Sequence, residues 1–472
     1  MVGQRRARNR IIQIKNDLGC FIENPNEIEA IFTNHFRSCF QNSIQLSFDS
    51  IVQELQSLPI PSLSPQQLAS LNKPITASEI EESVFQIGAH KTLRPDGIPA
   101  FFFHKYWGTI KTEVISTVLA LLHSGSLFKP LNQTIITLIP KIPFPEEVSH
   151  FRPISLCNVV YKIIYKVLVN RLKPLMDSII APYQNSFIKG RNISDNILIS
   201  LEIIDTLRRE KGRKTSFGML KIDMNEAYDR VNWTFLKAVL TVMKFEDKWI
   251  KWIMECVTTV SYTILVNGNL TSSFKPSQGL RQGDPLSPYL FLFCANILSI
   301  SLLQAQNLKQ IQGLKVGRNG LSFTHLFFAD DSLLFFKKDN KTIKNLQLIL
   351  DWYCSIFGQK INLAKSNLYC SPNMHAEDQE SLAQTLQVNL VQNPTKYLGM
   401  HFKLKGNRCI DFQFLVDKLQ AKLQSWKARL LSQVGRTTLI TFVLQSLPLY
   451  TFACFQVPNT ICNKMDFIIR SF

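Results

Sequence analysis

No apolar leader, zinc-type cysteine spacing, internal repeat or low-complexity tract occurs in these 472 residues. The first residues are basic and polar, without the apolar core of a secretory signal. The longest apolar run, Tyr289 to Leu303, is interrupted by Asn296 and Ser299. It is short for a membrane span and reads as a core helix, so no membrane partner is expected. Ten cysteines are present, none in a Cys-x-x-Cys or Cys/His zinc spacing. Cys157, Cys256 and Cys294 lie in apolar runs as small buried hydrophobes, and the reading is a reducing compartment without structural zinc. Acidic residues are scarce beside basic ones, 35 against 53, for a net charge of +18. The excess is spread along the chain, which favours a broad nucleic-acid groove over a single charged tail. One dense run, Arg5 to Arg10, reads as a nucleic-acid contact, a nuclear signal or simply a solvated terminus.

The few acidic residues are placed tellingly. Phe327 to Phe336 reads FFADDSLLFF, two short apolar strands broken by Ala329-Asp330-Asp331-Ser332. This is the composition of a β-hairpin with carboxylates at its tip. Adjacent aspartates repel and lose hydration unless a cation sits between them, yet Asp and Ser also favour ordinary solvated turns. What separates these readings lies upstream, where Ser216 to Ile222 reads as a strand ending in Asp223. The stretch from Glu226 to Phe245 has helical spacing, with Val231, Phe235, Leu236, Val239, Leu240 and Met243 on one stripe. A strand ending in Asp beside a hairpin carrying Asp-Asp converges three hard oxygen ligands on one point, which suits Mg²⁺. Two such ions, about 3.5–4 Å apart, would activate a 3′-hydroxyl and stabilise a leaving pyrophosphate.

Nine collinear segments carry a family resemblance. They are Ile80 to Phe85 with Pro95-Asp96-Gly97, Leu138 to Lys141, Phe151 to Leu156, and Gln184 to Arg191. Asp223 to Asp229, Gly279 to Pro288, the FADD hairpin, Gly358 to Asn362 with Lys365-Ser366, and Tyr397-Leu398-Gly399 follow. The chain resembles the reverse transcriptase of plant LINE-type (non-LTR) retrotransposons over nearly its whole length. The resemblance implies an α+β, right-hand polymerase with fingers, an antiparallel palm sheet backed by helices, and a partial helical thumb. Residues 1–74 would form an N-terminal extension, 75–215 the fingers, 216–402 the palm and 403–472 the thumb, with the reverse transcriptase domain proper at about 136–402. The start reads as mainly helical to about Leu71, closing with a linker containing Pro59, Pro61 and Pro65. In the thumb, Phe412, Leu415, Val416, Leu419, Leu423, Trp426 and Leu430 sit at helical spacing as core, with Lys418, Lys422, Lys427 and Arg429 on other faces.

The resemblance also implies roles. Asp223, Asp330 and Asp331 would hold two Mg²⁺ ions, with Mn²⁺ as a substitute. Lys365 would protonate the departing pyrophosphate, though a surface lysine near a turn is the alternative. Lys141 and Arg152 would grip the triphosphate. Tyr228 would be a steric gate against a ribose 2′-hydroxyl, or else a core aromatic, and Gln282 would meet the incoming sugar or base. Gly279 and Gly283 would let the backbone approach nucleotide and template, and Tyr397-Leu398-Gly399 would contact template and primer. Asp284-Pro285 reads as a helix N-cap with proline at the first helical position. Three departures stand out: Glu226 in place of a usual lysine, Gln278 in place of an arginine, and Leu93-Arg94 in place of Pro-Gly.

The expected function is an RNA-directed DNA polymerase acting on an RNA template, a DNA primer and deoxynucleoside triphosphates, with element RNA in a ribonucleoprotein as a further partner. A nuclear location is expected, a cytoplasmic ribonucleoprotein being the alternative. Without endonuclease or RNase H, the chain reads as a truncated element that could polymerise but not nick its target. The competing readings are a non-catalytic nucleic-acid-binding relic and an RNA-dependent RNA polymerase, which shares the palm carboxylates.

Overall fold

A computed structural model describes residues 10–42, 46–90, 95–126, 128–209, 215–317, 320–394, 396–402, 408–424 and 430–472. The fold is α+β, built from two compact units that interleave along the chain. The first takes Met1–Lys189, Met224–Leu308 and Asn345–Ile361; the second takes Gly190–Asp223, Lys309–Lys344 and Asn362–Phe472. Each unit therefore draws its core from segments far apart in sequence.

The first unit centres on a four-stranded mixed sheet. Gln133–Pro140 pairs antiparallel with Phe151–Cys157 and parallel with Ser261–Val266, which turns into the short strand Asn269–Leu270. The helix Pro25–Cys39 packs on this sheet. Asn24 starts it, its side chain accepting from Asn26 N at 3.0 Å, and proline occupies the first turn. Ile28, Phe32, Phe36 and Phe40, at four-residue steps, bury one stripe against Ile136, Phe151, Tyr262 and Ile264. The Phe32 ring meets Phe151 edge-on at 5.3 Å. The long apolar run forms the helix Ser287–Asn307, buried on nearly every face as a core helix.

In the second unit a five-stranded sheet has the order His325–Phe328, Asp331–Lys337, Phe217–Ile222, Asn367–Cys370, Asn389–Leu390. All neighbours are antiparallel except the last pair. The two central strands are buried on both faces, which explains why they read as apolar runs instead of alternating. Towards the C-terminus, Arg408–Leu423 packs on Asn459–Ser471 through Phe412, Leu415, Val416, Leu419, Ile461 and Met465. Leu423 lies partly buried against that cluster. Leu430, expected in the same stripe, is 75% exposed because the helix has already ended. Trp426, Lys427 and Arg429 lie outside the described residues, as do Leu93-Arg94 and the basic run up to Asn9. A second long apolar stretch, Gln433–Cys454, is largely exposed.

Three helix starts differ from the sequence reading. The helix expected from Glu226 begins at Trp233, because Glu226 takes a left-handed φ of 50° that no helix can continue. Asn232 caps the true start, its side chain accepting from Phe235 N at 2.9 Å. Asp284-Pro285 is not the N-cap: the helix begins at Ser287 behind Leu286, and Pro288 is its first-turn proline. Asp284 Oδ1 instead accepts from Leu286 N at 2.8 Å, bracing the turn from outside. Pro65 opens the helix Pro65–Asn72, with a reciprocal Ser64–Gln67 cap, and is not part of a linker.

The packing of Phe32 makes a direct test of this core. Phe32→Ala should destabilise the protein by about 3–5 kcal/mol, read as a lowered denaturation midpoint in urea. A loss under about 1 kcal/mol would mean that the helix does not seat on the sheet.

Candidate active site

The three aspartates lie in one sheet, and its register brings them together. Asp331–Lys337 pairs with Phe217–Ile222 so that Ser332 faces Ile222. One step further along the ladder sets Asp331 opposite Asp223, with side chains on a shared face. Asp330 belongs to the two-residue turn joining Phe328 to Asp331, where Ala329 takes a left-handed φ of 54°. Asp331 thus opens a strand and does not sit at the loop tip. Burial raises the pKa of Asp331, and the charges of Asp330 and then Asp223 raise it further, while Lys221 opposes them. Mutual repulsion among three oxygen donors is the electrostatics that a hard divalent cation relieves, and the donor set fits Mg²⁺.

Neighbours hold Asp223 by its backbone. Its N–H donates to Ser366 Oγ at 3.2 Å, and its carbonyl accepts from Asn362 N at 2.8 Å. Lys365 is exposed in the turn just before Ser366. Lys221, two residues before Asp223 on the same strand face, donates from Nζ to Lys396 O at 2.8 Å. Spacing by two on a strand was the signal that could have singled it out. Tyr397 is fully buried. Asn196 Nδ2 donates both to its hydroxyl, at 3.0 Å, and to Phe327 O, at 2.9 Å. The Tyr397 side chain therefore braces the carboxylate hairpin from beneath, which leaves the turn backbone as what the motif presents outward. Leu398 and Gly399, φ 47° and 82°, form that turn between Tyr397 and Met400, and Leu398 O accepts from Tyr450 Oη at 2.8 Å.

The remaining candidates belong to the other unit. The ladder places Arg152 opposite Ile139, and Lys141 N donates to His150 O at 2.8 Å. Arg152 and Lys141 are therefore two steps apart on one face, both exposed. Lys141 Nζ donates to Ser149 O at 2.7 Å. Gln282 O accepts from Ser155 N at 2.9 Å, docking its loop on this strand, and Gly283 takes φ 97° beside Ile154. Gln282 Nε2 donates to both oxygens of Asp229 at 3.1 Å. Burial pushes the Asp229 carboxyl up to about 8, the Glu226 charge adding to it against Gln282, Lys141 and Arg230. Asp229 ends the Asp223 to Asp229 motif, and no local pattern signals its burial against Gln282. Gly279, φ 93°, is needed for a different approach than expected: a Cβ there would lie 2.5 Å from Asp229 O and 2.7 Å from the Phe40 ring. Tyr228 is half-buried, its ring stacked on Phe291 at 4.8 Å and 15°, and its carbonyl accepts from Leu280 N at 2.7 Å.

Two departures find local partners. Glu226 meets His35 Nε2 at 3.4 Å and Arg230 at 3.3 Å. Burial alone would raise its pKa, but His35, Cys39 and Arg230 outweigh it, and the carboxyl falls to about 2. Its added negative charge is thus answered within its own surroundings. Gln278 is buried and donates to Cys39 O at 2.8 Å.

With this geometry in hand, comparison with known proteins is decisive. A family profile described as "Reverse transcriptase (RNA-dependent DNA polymerase)" matches residues 139–402, more than half of the chain. The chain belongs to the reverse transcriptase family. It is 24% identical to the transposon TX1 uncharacterized 149 kDa protein of Xenopus laevis, covering 97% of this chain and 34% of that protein. It is 26% identical to the retrovirus-related Pol polyprotein of the type-2 retrotransposable element R2DM of Drosophila melanogaster, covering 80% and 34%. It is 27% identical to that of the type-1 element R2 of Popillia japonica, covering 60% and 39%. The chain therefore spans about a third of the length of these relatives. The likeness to non-LTR retrotransposon reverse transcriptases read from the motifs is borne out.

The raised pKa of Asp229 has a signed consequence for this reverse transcriptase domain. Below about pH 4 the carboxyl is protonated in folded and unfolded chains alike. Between there and pH 8 only the folded chain keeps the proton, so this contribution to stability is lost as pH rises through that window. Asp229→Asn should therefore gain melting temperature relative to the parent between pH 5 and pH 8. A difference that stays flat with pH would show that Asp229 is ionised in the folded protein.

Proposed function

We propose that this chain is an RNA-directed DNA polymerase that extends a primer 3′-hydroxyl on an RNA template. The observation that carries this reading is the ladder that pairs Ser332 with Ile222 and so brings Asp331 beside Asp223, with Asp330 in the adjoining turn. Asp223, Asp330 and Asp331 would hold two Mg²⁺ ions, or Mn²⁺ in their place, which would supply activation of the 3′-hydroxyl and charge stabilisation for the leaving group. The 3′-hydroxyl loses its proton to solvent as its oxygen attacks the α-phosphorus of a deoxynucleoside triphosphate, the bond to the β-phosphate oxygen breaks, and Lys365 gives its proton to the departing pyrophosphate. Lys141 and Arg152, exposed on one strand face, grip the triphosphate. Tyr228, held by Phe291, excludes the ribose 2′-hydroxyl, and Gln282 meets the sugar or base. Gly283 and the Tyr397-Leu398-Gly399 turn lie along template and primer.

The same reading extends to architecture: residues 75–215 act as fingers, 216–402 as palm and 403–472 as thumb, after an N-terminal extension to residue 74. The five-stranded sheet with its carboxylate hairpin supports the palm assignment. Element RNA in a ribonucleoprotein is the proposed partner, in the nucleus or in a cytoplasmic particle.

Primer extension tests the carboxylates. Asp330→Asn should lower extension on an RNA template by at least about a hundredfold, with nucleic-acid affinity little changed, since phosphate contacts dominate binding. Robust extension by that variant would remove the metal assignment. Binding without extension by the unaltered chain would instead favour a non-catalytic retroelement remnant.

The sugar gate has its own readout. Tyr228→Ala should raise the ratio of ribonucleotide to deoxynucleotide incorporation while deoxynucleotide use persists, because it removes a clash and no metal ligand. An unchanged ratio would make Tyr228 a packing residue, and ribonucleotide preference in the unaltered chain would point to an RNA polymerase.

A further inference from the structure

One group of side chains outside the carboxylate site brings three metal-ligating atoms together. His35 Nε2, Cys39 Sγ and a Glu226 carboxylate oxygen all lie within 4.8 Å of one another. His35 and Cys39 are one turn apart on the helix Pro25–Cys39, so both project from the same face. Glu226 arrives from the turn after Asp223, far away in sequence. We infer that His35, Cys39 and Glu226 form a binding site for a thiophilic divalent cation, Zn²⁺ by its ligand chemistry.

Two of the three edges match a tetrahedral ion, and the third, from Cys39 Sγ to the Glu226 carboxylate, lies within 4.8 Å, so a small side-chain adjustment closes the set. With Zn–S of about 2.3 Å and Zn–N and Zn–O of about 2.0–2.1 Å, tetrahedral edges come to about 3.5–3.6 Å for S···N and about 3.3–3.4 Å for N···O. Cys39 Sγ lies 3.6 Å from His35 Nε2, and His35 Nε2 lies 3.4 Å from Glu226 Oε1. Arg230 takes the other carboxylate oxygen, Oε2, at 3.3 Å, orienting Oε1 toward the imidazole. Thiolate and carboxylate together balance a doubly charged ion. Cys39 is buried, whereas His35 and Glu226 keep 33% and 28% of their side chains exposed, so a water can complete the shell. A set containing sulfur and imidazole discriminates against Mg²⁺, which prefers oxygen ligands only.

Each ligand is also held independently. Phe36 and Phe40 seat the helix end in the core, and Cys39 O accepts from Gln278. Glu226 is fixed in a left-handed conformation, its carbonyl accepting from Asp229 N at 2.8 Å and Arg230 N at 3.2 Å. A cation here would tie the helix Pro25–Cys39 to the turn that carries Tyr228 and Asp229. The site is a structural clip on the residues read above as the sugar gate, chemically separate from the polymerase metals.

The test uses the full chain, reduced and stripped by chelator, and titrated with Co²⁺ and then Zn²⁺. One equivalent of Co²⁺ should produce a thiolate-to-metal charge-transfer band that Zn²⁺ removes; carboxylates alone give no such band. Cys39→Ser should abolish the band with the other nine cysteines intact. His35→Ala and Glu226→Gln, both at partly exposed positions, should each weaken Zn²⁺ binding by at least about tenfold and keep the test informative if Cys39→Ser unfolds. Zn²⁺ should raise the melting temperature of the parent more than that of either variant. No thiolate band, a band surviving Cys39→Ser, or Zn²⁺ affinity unchanged by Glu226→Gln would leave the three as a hydrogen-bonded cluster without a metal and overturn the inference.

Discussion

The meeting of the three carboxylates depends on one close approach, between Gly218 and Phe336. These residues face each other in the central ladder, and a Cβ at Gly218 would stand 2.7 Å from the Phe336 ring. A slip of one residue would drive Phe217 or Met219 into that ring, so the register cannot drift. Once Phe336 faces Gly218, Ser332 must face Ile222, and Asp331 must reach Asp223. Repulsion between the carboxylates is thus opposed by the buried apolar strands behind them, Met219, Leu220 and Ile222 against Leu333 to Phe336. Asn196 and Tyr397 stiffen the same hairpin from below.

The other unit places its polar residues by a different device, a buried cation. Arg281 is 4% exposed, packs over Tyr161 and Tyr165, and donates to Asn132, Thr134, Tyr165 and Cys256 O. Asp284 answers its charge at 3.4 Å. This network anchors the loop from Gly279 to Pro285, so Gln282 is presented by a loop whose middle is nailed into the core. A buried charge with this many partners specifies one arrangement, because any other would strand it without hydrogen bonds.

Local readings succeeded where a short stretch carried its own signal. Asp330-Asp331 between Phe-rich flanks is a hairpin, Phe217–Ile222 is a strand, and the run from Tyr289 is a core helix. They failed where a backbone conformation intervened. Glu226 at positive φ delays a helix whose apolar spacing was already visible, and Asp284 resembles a cap while bracing from two residues outside. Asn196 sent no signal at all, since its two partners come from the hairpin and from Tyr397.

The sequence by itself pointed to the chemistry class through an excess of Lys and Arg suited to a polyanion, three aspartates at strand ends, and nine ordered motifs that resemble one family. Those features are local, and period and residue type report them directly. Tertiary structure alone decided what each polar group meets. Glu226 looked like stray charge until His35 and Cys39 came beside it, and Gln278 looked like a lost arginine until its amide was found to donate to Cys39 O. Gly279 looked like room for a ligand until Phe40 and Asp229 O filled it. Periodicity says which face of a helix or strand is buried; only folding says against what.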